Sequence, residues 1–571
     1  MTGGKTTIMR CLLPLLAAAA MLLCGCSTSI VPEPVRPATS EHQLPNRDLV
    51  ENLRGKWERL KDPKLTDEER RSLVQAYNAD LLLLIRRLRY EAYYTDDSTF
   101  DDFKRHVDSM HIAIPLDSLG TVYEDLVPAQ DVRFENLEEH YAAEGLGVPM
   151  VGVVPPAVAE KLSEGSMAPV RTKGTVSTLT AVMVFPERPG NAGPQLRLVT
   201  RLTEETCRVG KLEYQLAADF SAPMEVYWRL TFENRKRILG LLRPQKLRDT
   251  TGLSSIQPYN PNKIPVILTH GLLSDASTFG QLVNRLYVDP EIRNNFQFWY
   301  FNYPTGPAWV YSAMLYRDAL EAVRNKVDPK RRNRNWDNMV VVGHSMGGLI
   351  TRYNQCVEPW KLLIQSGVVD PKKAHELTER YIDHPFDDMK AEVFRRQYFF
   401  RPVKAGMVVY LATPHRGAPI ASLHIVHALT KLISLPFSVV HEAVNVVTLQ
   451  RDLFLLHPDE MSHWFTSLDQ LSPEGYSIIG LQGLAMRNVP VVSIIGNRGS
   501  SRPLAQTSDG LVPFWSSHLN LGEEFIVPHG HSVQEHKDTA EIMKIILHEH
   551  LQEHPPMRNL KLPKEPLPLA A

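Results

Sequence analysis

The residues able to do chemistry in this chain centre on Ser345. It stands in Gly343-His344-Ser345-Met346-Gly347-Gly348, directly after Val340-Val341-Val342 and before Leu349-Ile350-Thr351-Arg352-Tyr353. A β-branched run that enters Gly-x-Ser-x-Gly and leaves as a helix-like run is the context of a nucleophile elbow. There the serine is held in a strained conformation with its hydroxyl standing clear. Glycines suit positions 343 and 347 because a side chain there would collide with the neighbouring strand and helix. The helix start behind Ser345 also points backbone N–H groups at any oxyanion that forms beside it.

A serine hydroxyl becomes nucleophilic when a base takes its proton, and the base must be held in one tautomer by an acid. With this motif the chain order is serine, acid, histidine. Ser508-Asp509-Gly510-Leu511-Val512-Pro513 follows a strand ending at Gly496, and Asp509 is the expected acid. Glu523 and Glu524 are rivals, weaker because they open a strand. The base is sought in Val527-Pro528-His529-Gly530-His531-Ser532, where His529, His531 and the later His536 compete. A loop residue just past the strand can lean over the sheet, so His531 is expected and His536 is second. His344 reads as packing. Two backbone N–H groups, of Met346 and Leu272, are the expected oxyanion donors, with Gly271 allowing close approach and His270 structural.

These residues must be positioned by a sheet. Ile264 to Thr269, Gln297 to Asn302, Val340 to Val342, Gly406 to Ala412, Val489 to Gly496 and Glu524 to Val527 are short apolar runs. They alternate with helical patterns such as Ala313 to Val327 and Thr539 to Leu551. That alternation predicts an α/β fold, a mostly parallel sheet with helices on both faces, over residues 256–555. Ahead of it, residues 46–250 read as a small helical and β-rich domain. Glu68 to Tyr94 carries an apolar stripe at helical spacing (Leu73, Tyr77, Leu81, Ile85, Leu88). Thr175 to Phe185, Gln195 to Val199 and Met224 to Phe232 read as strands. No catalytic motif lies in this part, so its expected role is structural or substrate-shaping.

At 571 residues the chain has room for two or three domains, and a net charge of −1 gives no reason to expect nucleic-acid binding. Lys330-Arg331-Arg332-Asn333-Arg334 is a solvated loop on this reading. Lys5 and Arg10 precede a short apolar run from Cys11 to Gly25 that reads as a secretory signal, residues 1–25. It ends in Leu23-Cys24-Gly25-Cys26, which resembles a bacterial lipoprotein signal; the resemblance implies cleavage before Cys26 and a lipid on that cysteine. Ser27 after it implies the outer membrane, in a double-membraned cell envelope. A proline-rich tether, residues 26–45, and a proline-rich tail, residues 556–571, flank the body. Of five cysteines, Cys207 and Cys356 remain in the body, as a pair or as buried thiols.

Taken together, Pro265 to Gly271, Phe298 to Gly306, Val340 to Gly348, Leu411 to Gly417 (with Thr413-Pro414-His415-Arg416-Gly417) and Ser508 to Pro513 resemble the α/β-hydrolase superfamily. The likeness is strongest to its bacterial lipase/esterase branch, near the GPI-inositol-deacylase-like group. It implies Ser345 as nucleophile, Asp509 as acid, His531 as base, and Leu272 and Met346 as oxyanion donors. It also implies that the insertions Val357 to Pro402 and Ile420 to Tyr476 form a helical cap, the alternative reading of the residues being ordinary core helices. The second insertion holds the apolar run Leu432 to Val440, suited to an acyl chain. A membrane-tethered hydrolase of carboxylic esters, lipid esters included, is the expectation, without metal or organic cofactor. An acyltransferase or amidase would use the same triad, and a non-catalytic binding lipoprotein would use the same fold. The oligomeric state is not legible.

Overall fold

The structure is a computed structural model that describes residues 34, 45–93, 99–110, 112–114, 123, 125–154, 175–186, 193–201, 204–231, 251–257, 259–372, 389–419, 467, 469–499, 503–558 and 560. The signal segment, Cys26 and most of the tether lie outside the described residues. So do 420–466, with the apolar run Leu432 to Val440, and the tail from 561.

Two larger sheets follow one another along the chain. The first is antiparallel and four-stranded: β1 (Asp125–Pro128), β2 (Val148–Val154), β3 (Thr175–Val184) and β4 (Gln195–Thr200), in that spatial order. One face packs under α1 (Asn46–Leu60) and α2 (Asp67–Tyr93), burying Leu53, Trp57, Tyr77, Leu81 and Ile85 against Met150, Leu179 and Ala181. The stripe expected from the sequence is this packing face; Leu73, Tyr77, Leu81, Ile85 and Leu88 are all buried. Truncating any of these large apolar groups to alanine would cost about 2–5 kcal/mol. The other face, with Val151, Val153 and Val176, runs into the core of the second sheet.

The second sheet has seven strands, β5 (Gly252–Ser255), β6 (Ile264–Thr269), β7 (Phe296–Asn302), β8 (Val340–His344), β9 (Met407–Leu411), β10 (Val491–Gly496) and β11 (Glu523–Val527). Their spatial order is β11-β10-β9-β8-β6-β7-β5. Six are parallel, and β5 pairs antiparallel with β7 at one edge. The central strands are buried on both faces, which explains their unbroken apolar runs. Val340 and Val342 face one core together with α4 (Gly280–Tyr287) and the last helix, α7 (Lys537–Glu553). Val341 faces the other, with α5 (Trp309–Val327) and α6 (Met346–Tyr353). Helices therefore cover both faces. The edge strand β5 precedes residue 256, so the sheet begins slightly earlier in the chain than the sequence indicates.

One expected strand is a helix. Met224 to Phe232 is expected as a strand from the change to a period of two, but Ala222–Thr231 forms α3. Asp219 Oδ1 accepts from the backbone N–H groups of Ser221 and Ala222, and Pro223 sits in the first turn, where its missing N–H costs nothing. Met224, Tyr227 and Trp228 then share a buried face at helical spacing. Cys207 and Cys356 are both buried and unpaired. Burial pushes the Cys356 thiol up to about 12, which marks it as inert.

Candidate active site

The site forms where β8 ends. Parallel pairing places Thr269 opposite Gly343 and Leu411 opposite His344, so β6 and β9 end beside Ser345. Ser345 has φ 54° and ψ −125°, a region that L residues avoid, and its N–H is anchored by the Leu411 carbonyl at 2.9 Å. Neighbouring glycines make the turn possible. A Cβ on Gly343 would strike the backbone of Gly347 and Gly348, one on Gly347 would strike Thr269, and one on Gly348 would overlap the Thr413 side chain. The strain at Ser345 is thus maintained by three close approaches that only glycine allows.

Asp509 and His531 reach Ser345 from loops after β10 and β11. His531 Nε2 lies 2.8 Å from Ser345 Oγ, and its Nδ1 lies 2.7 Å from Asp509 Oδ2. Asp509 is 1% exposed, and its Oδ1 accepts from the N–H groups of Leu511 (2.8 Å) and Val512 (2.6 Å). A carboxylate saturated on one oxygen by backbone donors offers the other as an acceptor. His531 Nδ1 therefore donates to Asp509, and Nε2 is left free to accept the serine proton. Ser345 is nearly buried and the His531 side chain is 14% exposed, so the donor chain is mostly shielded from water.

The rival residues stand elsewhere. His536 Nδ1 accepts from the Asp538 N–H at the start of α7 and serves as its cap. The His529 ring lies 5.2 Å from that of His536. Glu524 is occupied by the His518 ring and by the N–H groups of Leu519 and Asn520.

Gly271 lies against Ser345: a Cβ there would sit 2.7 Å from Ser345 Cβ. His270 Nδ1 is 3.0 Å from the Gly271 carbonyl and donates to it. In a trans peptide the C=O and the following N–H point opposite ways, so fixing the Gly271 carbonyl also fixes the Leu272 N–H. The neighbouring strand end supports the same loop. Tyr303 stacks on His270 at 4.4 Å and donates its hydroxyl to the His270 carbonyl at 2.7 Å, while Thr305 Oγ1 accepts from Leu273 N–H. Met346 opens α6, so its N–H has no carbonyl within the helix to reach.

His344 was read as packing, and the structure gives it a further task. Its Nε2 donates to the His531 carbonyl at 3.0 Å, and the two rings lie 5.0 Å apart. Burial, reinforced by His531, drops the His344 imidazole to about 3, so it is a neutral donor. Tyr303, Thr305 and His344 thus support the site in ways their places in the sequence do not single out. The signal for them in the sequence is that Tyr303 and Thr305 directly follow the apolar run Gln297 to Asn302.

No protein-family model matches the chain. No curated protein matches it. Among solved structures it is similar to the lipase BlEst2 of Bacillus licheniformis in its mature form, at 12% identity over 50% of this chain and 93% of that one, with a TM-score of 0.29. A lipase-esterase related protein of Clostridium acetobutylicum is similar at 14% identity over 52% and 98%, TM-score 0.23. Esterase B of Lactobacillus rhamnosis, in a tributyrin phosphonate complex, is similar at 12% identity over 52% and 78%, TM-score 0.27.

Proposed function

We propose that the chain is a serine hydrolase of the α/β-hydrolase superfamily that cleaves carboxylic esters. One observation carries the reading: an unbroken hydrogen-bonded chain from Ser345 through His531 to Asp509, set on a serine with positive φ. Ser345 Oγ attacks the ester carbonyl while His531 Nε2 takes its proton. The tetrahedral oxyanion is met by the N–H groups of Leu272 and Met346. The protonated His531, steadied by Asp509, then gives its proton to the departing alcohol, leaving an acyl-serine. Water enters, His531 removes its proton, and the acid leaves as Ser345 is restored.

The proposal extends to place and substrate. The run Cys11 to Gly25 and the sequence Leu23-Cys24-Gly25-Cys26 support export and a lipid on Cys26, with the body tethered at the outer membrane. The apolar run Leu432 to Val440 supports an acyl-chain substrate. The test uses the body from residue 46 onward with p-nitrophenyl esters from acetyl to palmitoyl, alongside Ser345→Ala. Turnover by the wild type alone is expected, and the best chain length reports the acyl pocket. Equal rates for the two proteins would reject the assignment.

A further inference from the structure

The turn that directly follows His531 is also held by the N-terminal part of the chain. Arg285 stands on α4 and is 6% exposed. Its Nε donates to Glu139 Oε2 at 2.7 Å, its Nη2 to Glu138 Oε2 at 3.1 Å, and its Nη1 to the Glu535 carbonyl. Glu138 and Glu139 belong to the N-terminal part. Glu535 closes the short helical turn Val533–Glu535, which begins two residues after His531. A guanidinium is a rigid planar fork, so carboxylates that fix two of its arms also aim the third.

Both ends of this contact are themselves fastened. Glu139 accepts from the Tyr141 hydroxyl at 2.6 Å, and its carbonyl accepts from Asn284 Nδ2 at 2.8 Å. Asn284 Oδ1 accepts from Ser221 Oγ, and Gln281 Nε2 donates to the Asn136 carbonyl. Trp228 packs over Gly280, where a Cβ would overlap its ring. On the other side, Gln534 Nε2 donates to Thr278 Oγ1 just ahead of α4, and Val533 is fully buried. Glu138 is 70% exposed on its side chain and contributes little by charge alone, whereas Glu139, at 39%, also takes the Tyr141 bond and is the firmer anchor.

We propose that Arg285 is a positioning residue for His531, and that the N-terminal part acts on the reaction through Glu138 and Glu139 by holding this arginine. The proposal rests on His531 being the base, as argued above. The N-terminal part is then a component of the active site's support, which explains why a segment without catalytic motifs is packed into the core of the second sheet. Release of the turn moves the imidazole relative to Ser345 without touching the substrate pocket. A displacement of roughly 1 Å at a reacting group costs on the order of 100-fold in rate.

The test uses the full chain with Arg285→Met, Arg285→Lys and the double variant Glu138→Gln/Glu139→Gln. Ester kinetics are read beside amide hydrogen exchange over residues 529–536. The expected result is a kcat about 10–100-fold lower in Arg285→Met with KM within about twofold, and faster exchange in the turn. Arg285→Lys, whose ammonium meets fewer acceptors at once, falls between. The double variant follows Arg285→Met and decides the matter if that protein does not fold. Wild-type kcat with wild-type exchange in the folded double variant would overturn the proposal. Exchange also separates the two claims: no ester turnover by the wild type refutes the hydrolase reading, while unchanged exchange in the variants refutes the role of Arg285.

Discussion

Replacing His344 with phenylalanine isolates one bond behind the proposed base. The wild-type ring is 5% exposed, and its Nε2 is the donor to the His531 carbonyl. Phenylalanine keeps an aromatic ring there and removes only the donor. Leaving a buried carbonyl without its partner costs about 1–3 kcal/mol. Part of that returns, because the same change removes His344 Nδ1, a buried atom with no partner among the described residues. The net loss of stability is therefore about 1 kcal/mol. The effect on rate is larger: a His531 loop freed to shift by roughly 1 Å lowers kcat by about 10–100-fold while KM stays within about twofold. His344→Gln places an amide donor near the same carbonyl and is expected to recover part of the loss. The assay is steady-state hydrolysis of p-nitrophenyl butyrate at neutral pH beside thermal unfolding of each variant. A folded His344→Phe protein with wild-type kcat would refute the argument that this bond positions the base.

Asp509→Asn keeps a similar shape but can offer His531 an N–H, favouring the wrong tautomer, and kcat is expected to fall by roughly 10³–10⁴-fold; a loss under about tenfold would count against Asp509 as the acid. Gly348→Ala forces a Cβ into Thr413 and should cost about 1–3 kcal/mol in urea unfolding, with Thr413→Ala recovering part of it. A Gly348→Ala protein as stable as the wild type would show that the packing at the elbow is looser than the structure has it. Acid should also destabilise the fold. Burial lowers the His344 imidazole to about 3 and that of His550 to about 4, and holds His415 well below its usual value. The unfolded chain then binds protons near pH 6.5 that the folded chain refuses. The stability from these neutral rings is present above about pH 6.5 and is lost as pH falls, by about 2 kcal/mol for His344 and for His550 at about pH 5. Urea midpoints that stay flat between neutral pH and about pH 5 would contradict this.

The elbow and its sheet were legible because each rests on a local signal. Val340 to Val342 read as a buried strand, and the glycines around Ser345 mark backbone contacts that tolerate no Cβ. Chain order and strand ends single out Asp509 and His531, which lie within hydrogen-bonding distance of each other and, through His531, of Ser345. Helix α3 was not legible, because an apparent period of two masked a cap supplied by Asp219 and a carboxylate, Glu225, whose partners are the backbone N–H groups of residues 135–137. The supports of the site were hidden for a related reason. His344 meets a carbonyl 187 residues away, and Arg285 meets one 250 residues away. No periodicity or spacing carries contacts of that range; they arise only when loops from separate strands converge.

A fluorophosphonate probe and mass spectrometry of the intact chain decide whether Ser345 is a nucleophile activated by His531. One adduct is expected on the wild type, mapped to Ser345, with none on Ser345→Ala and labelling of His531→Ala slowed by at least about 100-fold. A wild-type protein that stays unlabelled, or an adduct that persists in Ser345→Ala, would contradict that role.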